Sequence, residues 1–148
     1  MMTDLPTILS YQNIEVLNRY SKDYPNNKLA PQEAFEELMK FFWLFQKHQE
    51  DKLKFPDKKE LDFICGIHTE MKEIDDMWHT FLLFTKDYIS FCKQYLGRFF
   101  HHSPTTDKEK AERSTNDFEI DFVRFLSYAY DNLGEEIVRK WFGELLVN

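Results

Sequence analysis

Glycine, proline and cysteine are scarce in this 148-residue sequence, and each shortage excludes a class of protein. Four glycines and five prolines are too few for the turns of a β-sandwich or the phosphate loop of a Rossmann-type fold. Two cysteines, Cys65 and Cys92, cannot form a disulfide framework, which indicates reduced thiols. Residues 1–15 lack the features of a signal peptide, and no apolar run has the roughly 20 residues of a membrane span. We therefore expect a cytoplasmic protein.

Positive charge is also scarce, because 19 Lys and Arg residues stand against 26 Asp and Glu residues and the net charge is −7. Proteins bind nucleic-acid backbones through clustered Lys and Arg side chains, so we expect no nucleic-acid partner. The sequence also lacks the glycine-rich nucleotide-binding motifs and the Gly-x-Ser-x-Gly turn. These absences disfavour nucleotide hydrolysis, dinucleotide redox chemistry and serine-hydrolase chemistry.

Aromatic residues are what the chain has in excess, since 3 Trp, 7 Tyr and 15 Phe make up 17% of it. Many of them recur at helical spacing, as Phe35, Phe42 and Phe45 do, and no segment alternates in the manner of a strand. We therefore predict an all-α fold of about six or seven helices with an aromatic-rich core. Residues 1–148 are predicted to form a single helical domain in which residues 1–8 are loosely ordered.

The helix boundaries follow from apolar spacing and from residues that start or stop helices. Pro31 suits the first turn of a helix, and Thr69 and Thr85 are candidate N-terminal caps. Gly97 and Gly134 are candidate C-terminal stops. The predicted helices cover residues 9–20, 30–50, 59–67, 69–83, 86–96, 108–132 and 135–146, with a charged loop over 51–58 and another loop over 98–106.

The most distinctive polar pattern lies in the fourth predicted helix. Asp75 and His79 are four residues apart, so they lie about 40° apart around the helix, and Asp76 lies about 60° to the other side of His79. Two more imidazoles, His101 and His102, follow in the predicted loop. Histidine and carboxylate ligands with an open coordination position suit Zn²⁺ or Fe²⁺. We predict a divalent metal site of His79, Asp75 and one or both of His101 and His102.

Two other roles for His79 stay open at this point. The imidazole could be a buried structural group bonded to a carbonyl or to Asp75, or the pair could do acid–base chemistry without a metal. Trp78 precedes His79, so we expect aromatic rings to wall the polar cluster and set its access to water. Cys65 and His68 are three residues apart, but no third group completes a nucleophilic set, so we predict that Cys65 packs in the core.

A further pattern surrounds the Trp-His-Thr triplet, and it resembles the Asp-x-x-Trp-His-Thr core of the glycine-rich domain-containing protein-like family. Phe81 stands where members often carry a second histidine, and the glycine-rich tail that names that family is absent. The resemblance covers about residues 60–105 and implies a helical domain with no established activity. The residues that carry it are Asp75, Trp78, His79, Thr80, Tyr88, Cys92, Gly97, His101 and His102.

These observations predict a helical binding or interaction module with a His/Asp polar or metal site, whose cofactor is a divalent metal such as zinc or iron. Its partner, a protein or a small molecule, is not identified by the sequence. The alternative is a metal-dependent hydrolase that uses Asp75, His79, His101 and His102. The candidate site consists of Asp75, Asp76, Trp78, His79, His101 and His102.

Overall fold

The computed structural model describes residues 2–102 and 115–146, and within these ranges the regular structure is helical, without strands. The all-α prediction is therefore confirmed. A 3₁₀ turn covers Lys59–Leu61, another covers Thr69–Met71, and a π-helical turn covers Cys92–Leu96. The α-helices are α1 Leu5–Leu9, α2 Ile14–Asp23, α3 Pro31–Lys54, α4 Lys72–Leu83, α5 Thr85–Phe91, α6 Thr115–Leu133 and α7 Glu135–Leu146.

The chain divides into two compact units. Unit 1 comprises Met1–Lys47 and Gly66–Phe99, and unit 2 comprises His48–Cys65 and Phe100–Asn148. The single domain expected over residues 1–148 stays a prediction. None of the helices in the described ranges is long and apolar enough to cross a membrane.

Aromatic side chains fill the interior of unit 1. Phe42 and Phe91 are fully buried with ring centroids 5.7 Å apart, and Phe81 lies 5.4 Å from Phe91. Tyr11 closes the cluster, with its ring centroid 4.9 Å from that of Phe91. Each such ring buries a large apolar area, and paired rings add about 0.5–1.5 kcal/mol beyond that burial. The predicted aromatic core is thus present in unit 1.

The N-terminal segment contains a capped helix that the sequence did not predict. The Asp4 carboxylate accepts a hydrogen bond from the Thr7 backbone N–H at 3.0 Å, and the helix α1 that follows buries Ile8 completely. The Asn13 side chain caps α2 in the same way, through the Val16 N–H. A side-chain acceptor at a helix start satisfies a backbone donor that the helix leaves unpaired. The chain therefore has two short helices where the sequence predicted one.

Two other predicted boundaries differ in the structure. The charged stretch predicted as a loop over 51–58 continues α3 as far as Lys54, and the helix ends two residues before Pro56. The predicted helix over 59–67 shrinks to one 3₁₀ turn, and Ile64 is exposed. In the segment after that turn, the Ile64 N–H donates to Asp121 and the Asp62 carbonyl accepts from Arg124. Because side chains satisfy these backbone groups, no helix is needed there.

A buried histidine stands at the centre of unit 2. His48 is 4% exposed, its Nε2–H donates to the Leu61 carbonyl at 2.9 Å, and its ring stacks on Phe63 with centroids 4.0 Å apart. The Tyr128 ring meets His48 edge-on, and the Tyr128 hydroxyl donates to Asp51 at 2.6 Å. Burial lowers the pKa of His48, so the imidazole is neutral at neutral pH.

Glycine ends two helical segments, as predicted. Gly97 has φ 76° after the π-helical turn, and Gly134 has φ 94° between α6 and α7. Glycine adopts this left-handed backbone without the steric cost that other residues meet. The expected start of α6 at residue 108 and the end of the loop over 98–106 lie outside the described residues. Within α6, Phe125 is fully buried, but Phe118, expected in the same stripe, is half exposed.

Candidate metal centre

Helix α4 positions the candidate site. It follows the 3₁₀ turn that Thr69 begins, so Thr69 is not the N-cap of α4 as predicted. The apolar side chains Ile74, Met77, Trp78 and Phe81 are buried along one face. Burial of this stripe fixes the rotation of the helix about its axis. Turning the helix would expose apolar surface to water, at a free-energy cost of about 25 cal/mol per Å². Asp75 and His79, at the edge of the stripe, thereby keep part of their side chains in solvent.

Asp75 and His79 form a pair at this edge. His79 Nε2 lies 3.6 Å from Asp75 Oδ2, and the two side chains are 48% and 27% exposed. The distance is that of an ion pair, which is charged on both sides only when the imidazole is protonated. The predicted juxtaposition of these two residues is present. About half of the His79 side chain is accessible to solvent, so the burial that the structural alternative assumed is absent, whereas the pairing with Asp75 that it allowed is present.

Asp76 faces a different set of partners. Its carboxylate is 6% exposed and accepts hydrogen bonds from Asn27 Nδ2 at 3.0 Å and from Lys72 Nζ at 2.9 Å. The hydrogen bond to Asp76 raises the pKa of Lys72. The Asp76 backbone carbonyl accepts from the Thr80 hydroxyl at 2.8 Å. These contacts give Asp76 a structural function in unit 1, and its membership of the candidate site stays a prediction.

The neighbouring residue Glu73 has a structural function that the sequence did not reveal. Its two carboxylate oxygens accept the backbone N–H groups of Lys28 and Leu29, at 3.0 and 2.8 Å. Lys28 and Leu29 are 45 and 44 residues away from Glu73 in sequence. No local pattern connects positions so far apart. Together with the Asn27–Asp76 hydrogen bond, these contacts attach the loop before α3 to the first turns of α4.

Trp78 is buried next to the exposed His79. Its indole Nε1–H donates to the Tyr88 hydroxyl at 3.0 Å, and the Phe42 ring meets it edge-on with centroids 5.2 Å apart. Phe41 also contacts the indole, at a centroid distance of 5.8 Å. Sequence reasoning placed Trp78 at the site but missed the hydroxyl that bonds it, because a break between α4 and α5 separates the two residues.

His101 and His102 follow the buried Phe100 in a segment without helical structure. His101 is exposed and His102 is partly buried. Both belong to unit 2, whereas Asp75 and His79 belong to unit 1. Of the predicted ligands, the pair on α4 is therefore the part that unit 1 brings together. The participation of His101 and His102 stays a prediction.

Neither cysteine has the surroundings of a nucleophile. Cys65 and Cys92 are both buried and free of disulfide bonds. Burial raises the pKa of Cys65 well above its usual range, so the thiol stays protonated at neutral pH. Because the thiolate is the reactive form, this geometry agrees with the predicted packing role of Cys65.

The fold and the α4 pair define an all-α protein with a partly exposed Asp/His edge. Comparison with family models then identifies the chain: residues 8–124 match the UCP032817-like model, so the chain belongs to the UCP032817-like family. No curated protein matches the chain, and no solved structure matches it. The family name states no activity. The function must therefore be argued from the residues themselves.

The family match corrects the resemblance to the glycine-rich domain-containing protein-like family, which is wrong. That resemblance depended on a short triplet, Trp78-His79-Thr80. In the structure Trp78 anchors α4 in the aromatic core and Thr80 bonds back to the Asp76 carbonyl. Contacts of this kind stabilise helices in many families, so the triplet does not identify one. The matched family model, by contrast, covers most of the chain.

Proposed function

We propose that this protein binds a divalent transition-metal ion, such as zinc or iron, through Asp75 and His79. The observation that carries the proposal is the pair itself, with His79 Nε2 and Asp75 Oδ2 at 3.6 Å on the solvent-facing edge of α4. An ion bonded to both atoms at about 2.0–2.2 Å would lie between them with little rearrangement. The pair supplies one nitrogen and one oxygen ligand, which suit these ions.

The exposure of the pair supports ion binding over a purely structural use. An isolated surface Asp–His pair contributes only about 0–1 kcal/mol to the free energy of unfolding, so stabilising the fold is a weak explanation for it. An accessible pair, by contrast, lets an ion enter from solvent and exchange water ligands. Helix α4 holds both residues on a backbone whose opposite face is buried, so the ligands are oriented before the ion arrives.

Two ligands are too few for a tightly held ion, and His102 is the proposed third. Its imidazole would add a second nitrogen ligand, a donor type that suits zinc and iron. His101 remains the second candidate from the same segment. The alternative hydrolase activity has no support from the described residues or from the family match, so it is not part of the proposal.

The decisive measurement is metal content together with metal-dependent stability. Tag-free protein is analysed for bound metal, and its thermal unfolding is followed with Zn²⁺, Fe²⁺ or Mn²⁺. We expect stabilisation by mass action, about 2.7 kcal/mol when the free ion is at 100 times its Kd. His79→Ala and Asp75→Asn should abolish this gain, and His102→Ala should reduce it more than His101→Ala does.

His68→Ala is the matched control, because it removes another imidazole of unit 1 that is not part of the pair. It should leave the metal-dependent gain unchanged. Metal content below about 0.1 ion per chain, together with no thermal shift from any of these ions, would contradict the proposal. A cytoplasmic location belongs to the same proposal and is supported by the two free cysteines.

A further inference from the structure

Tyr88 contacts the turn of α4 that carries Asp75 and His79, and it also contacts the end of unit 1 that precedes His101 and His102. It lies on α5 and is 1% exposed. On one side its hydroxyl accepts a hydrogen bond from Trp78 Nε1 at 3.0 Å. Trp78 directly precedes His79 and follows Asp75 by three residues, so it belongs to the same turn of α4 as the pair. A group that fixes Trp78 therefore acts on the turn that presents both ligands.

On its other side Tyr88 contacts the start of the segment that carries the histidines. The Phe99 ring meets the Tyr88 ring edge-on, with centroids 5.4 Å apart and an interplanar angle of 89°. Phe99 comes two residues after Gly97, whose positive φ ends the π-helical turn, and two residues before His101. The ring contact thus fixes Phe99, the last residue of unit 1 before these histidines.

We propose that Tyr88 is a positioning residue for the metal site, holding α4 through its hydroxyl and, through its ring, Phe99, two residues before His101. This inference rests on the proposed function and assigns the site a support that binds no metal itself. In known metal sites, groups that hydrogen-bond to the ligands orient them, and their loss lowers metal affinity by roughly 10–100-fold. Tyr88 bonds Trp78 rather than a ligand, so we expect a loss at the lower end of that range.

The surroundings of Tyr88 suit this role. Its ring packs edge-on against Phe81 at 5.1 Å and lies 6.3 Å from Phe42, so the side chain has little freedom to turn. Burial raises the pKa of Tyr88 far above its usual range, and the hydroxyl stays protonated. The Cys92 side chain shares a hydrogen bond with the same hydroxyl. The hydroxyl oxygen is therefore fixed in the position from which it accepts the indole N–H.

The first test is Tyr88→Phe, which keeps the ring and removes only the hydroxyl. The Trp78 indole N–H then loses its acceptor in a buried place, where an unpaired donor is costly. We expect Zn²⁺ affinity, measured by calorimetry at a temperature where the protein is fully folded, to fall roughly tenfold. In the metal-free protein the imidazole NMR signals of His79 should shift more than those of His101 and His102.

The second test is Phe99→Leu, which removes the edge-on ring contact and keeps an apolar side chain. Here the imidazole signals of His101 and His102 should shift more than those of His79, and Zn²⁺ affinity should again fall. Ile8→Val is the control, because it trims another fully buried side chain of unit 1, on α1. It should lower the melting temperature slightly and leave both affinity and imidazole signals unchanged.

The outcomes separate the two proposals. If wild-type protein binds none of Zn²⁺, Fe²⁺ and Mn²⁺, the proposed function fails, and the metal-free imidazole signals still decide whether Tyr88 positions these side chains. If Tyr88→Phe lowers the melting temperature but changes affinity less than twofold and moves the imidazole signals no more than Ile8→Val does, the positioning role is overturned. Larger His79 shifts in Tyr88→Phe, together with larger His101 and His102 shifts in Phe99→Leu, support the positioning role.

Discussion

Two histidines, one in each unit, occupy opposite environments. His79 in unit 1 keeps 48% of its side chain exposed and lies 3.6 Å from a carboxylate. His48 in unit 2 is 4% exposed, donates to the Leu61 carbonyl and stacks on Phe63. The same side chain thus holds a fold together in one place and faces solvent beside a carboxylate in another. Burial, rather than residue type, makes the difference.

The physical reason is the cost of taking polar groups from water. His48 has exchanged water for an internal acceptor and two ring contacts, so any change at this position leaves a buried group unsatisfied or a void. His79 still faces water and can take a new partner without disturbing the core. The comparison predicts that substitutions at His48 lower the free energy of unfolding strongly, whereas substitutions at His79 mainly change metal binding.

The largest expected effect comes from His48→Ala. The substitution removes the hydrogen bond to Leu61 and the stacking on Phe63 and leaves a cavity, so we expect the free energy of unfolding to fall by about 2–4 kcal/mol. Urea unfolding followed by circular dichroism measures it. A loss below about 1 kcal/mol would mean that burial of this histidine contributes little, and the contrast with His79 would disappear.

A smaller loss is expected from Tyr128→Phe. The Tyr128 hydroxyl donates to Asp51 at 2.6 Å, and hydrogen bonds to charged groups contribute about 1.5–3 kcal/mol. Tyr130→Phe is the matched control, since Tyr130 is 52% exposed on the same helix. Its unfolding should match wild type within error. Equal losses in the two variants would contradict a specific role for the Asp51 contact.

The buried histidine also predicts a pH dependence. Burial holds the pKa of His48 below its ordinary value, while the hydrogen bond to Leu61 and the charges of Asp51 and Asp121 oppose this shift and Lys52 adds to it. The unfolded chain therefore takes up a proton at a higher pH than the folded protein does. Stability attributable to His48 is complete above about pH 7 and falls as the pH drops through about 6.5 towards the folded pKa.

His48→Gln tests this dependence, because glutamine keeps a donor for Leu61 but does not titrate. Unfolding free energies measured from about pH 7.5 to 5.5 should fall less steeply for the variant than for wild type. Identical slopes would show that His48 does not titrate differently in the two states. A wild-type protein that becomes more stable over this range on acidification would reverse the expected sign.

The smallest expected effect on stability comes from His79→Ala in metal-free protein. A partly exposed pair contributes about 0–1 kcal/mol, so the unfolding curve should nearly overlay that of wild type. With Zn²⁺ present the two curves should separate, because only wild type gains from the ion. A metal-independent loss as large as that of His48→Ala would make His79 a structural residue and erase the comparison.

Much of the helical structure and one part of the site follow from local sequence. Gly97 and Gly134 end helical segments where predicted, and the helix Glu135–Leu146 has the predicted bounds. Asp75 and His79 meet because a four-residue separation on a helix brings side chains together whatever surrounds them. These features need only backbone geometry, which the sequence pattern reports directly.

Other features of the fold could not be predicted from local sequence, because long-range contacts determine them. The segment after Leu61 reads as a short helix, yet Asp121 and Arg124 bond its backbone groups from α6. Helix α1 was not predicted, and burial of Ile8 together with the Asp4 cap stabilises it. Propensity is a weak preference that such tertiary contacts override. The family resemblance failed for a related reason, since a triplet shaped by one helix carries little information about the whole chain.

The sequence by itself determined that this protein is helical, rich in buried rings and equipped with an Asp–His pair on one helix edge. Helical periodicity and i, i+4 spacing are local, so they can be read without knowing the fold. Only the tertiary structure decided that His79 is exposed while His48 is buried, and that the Tyr88 hydroxyl bonds Trp78 across a helix break. Exposure and partner choice depend on which distant side chains exclude water, and packing alone settles that.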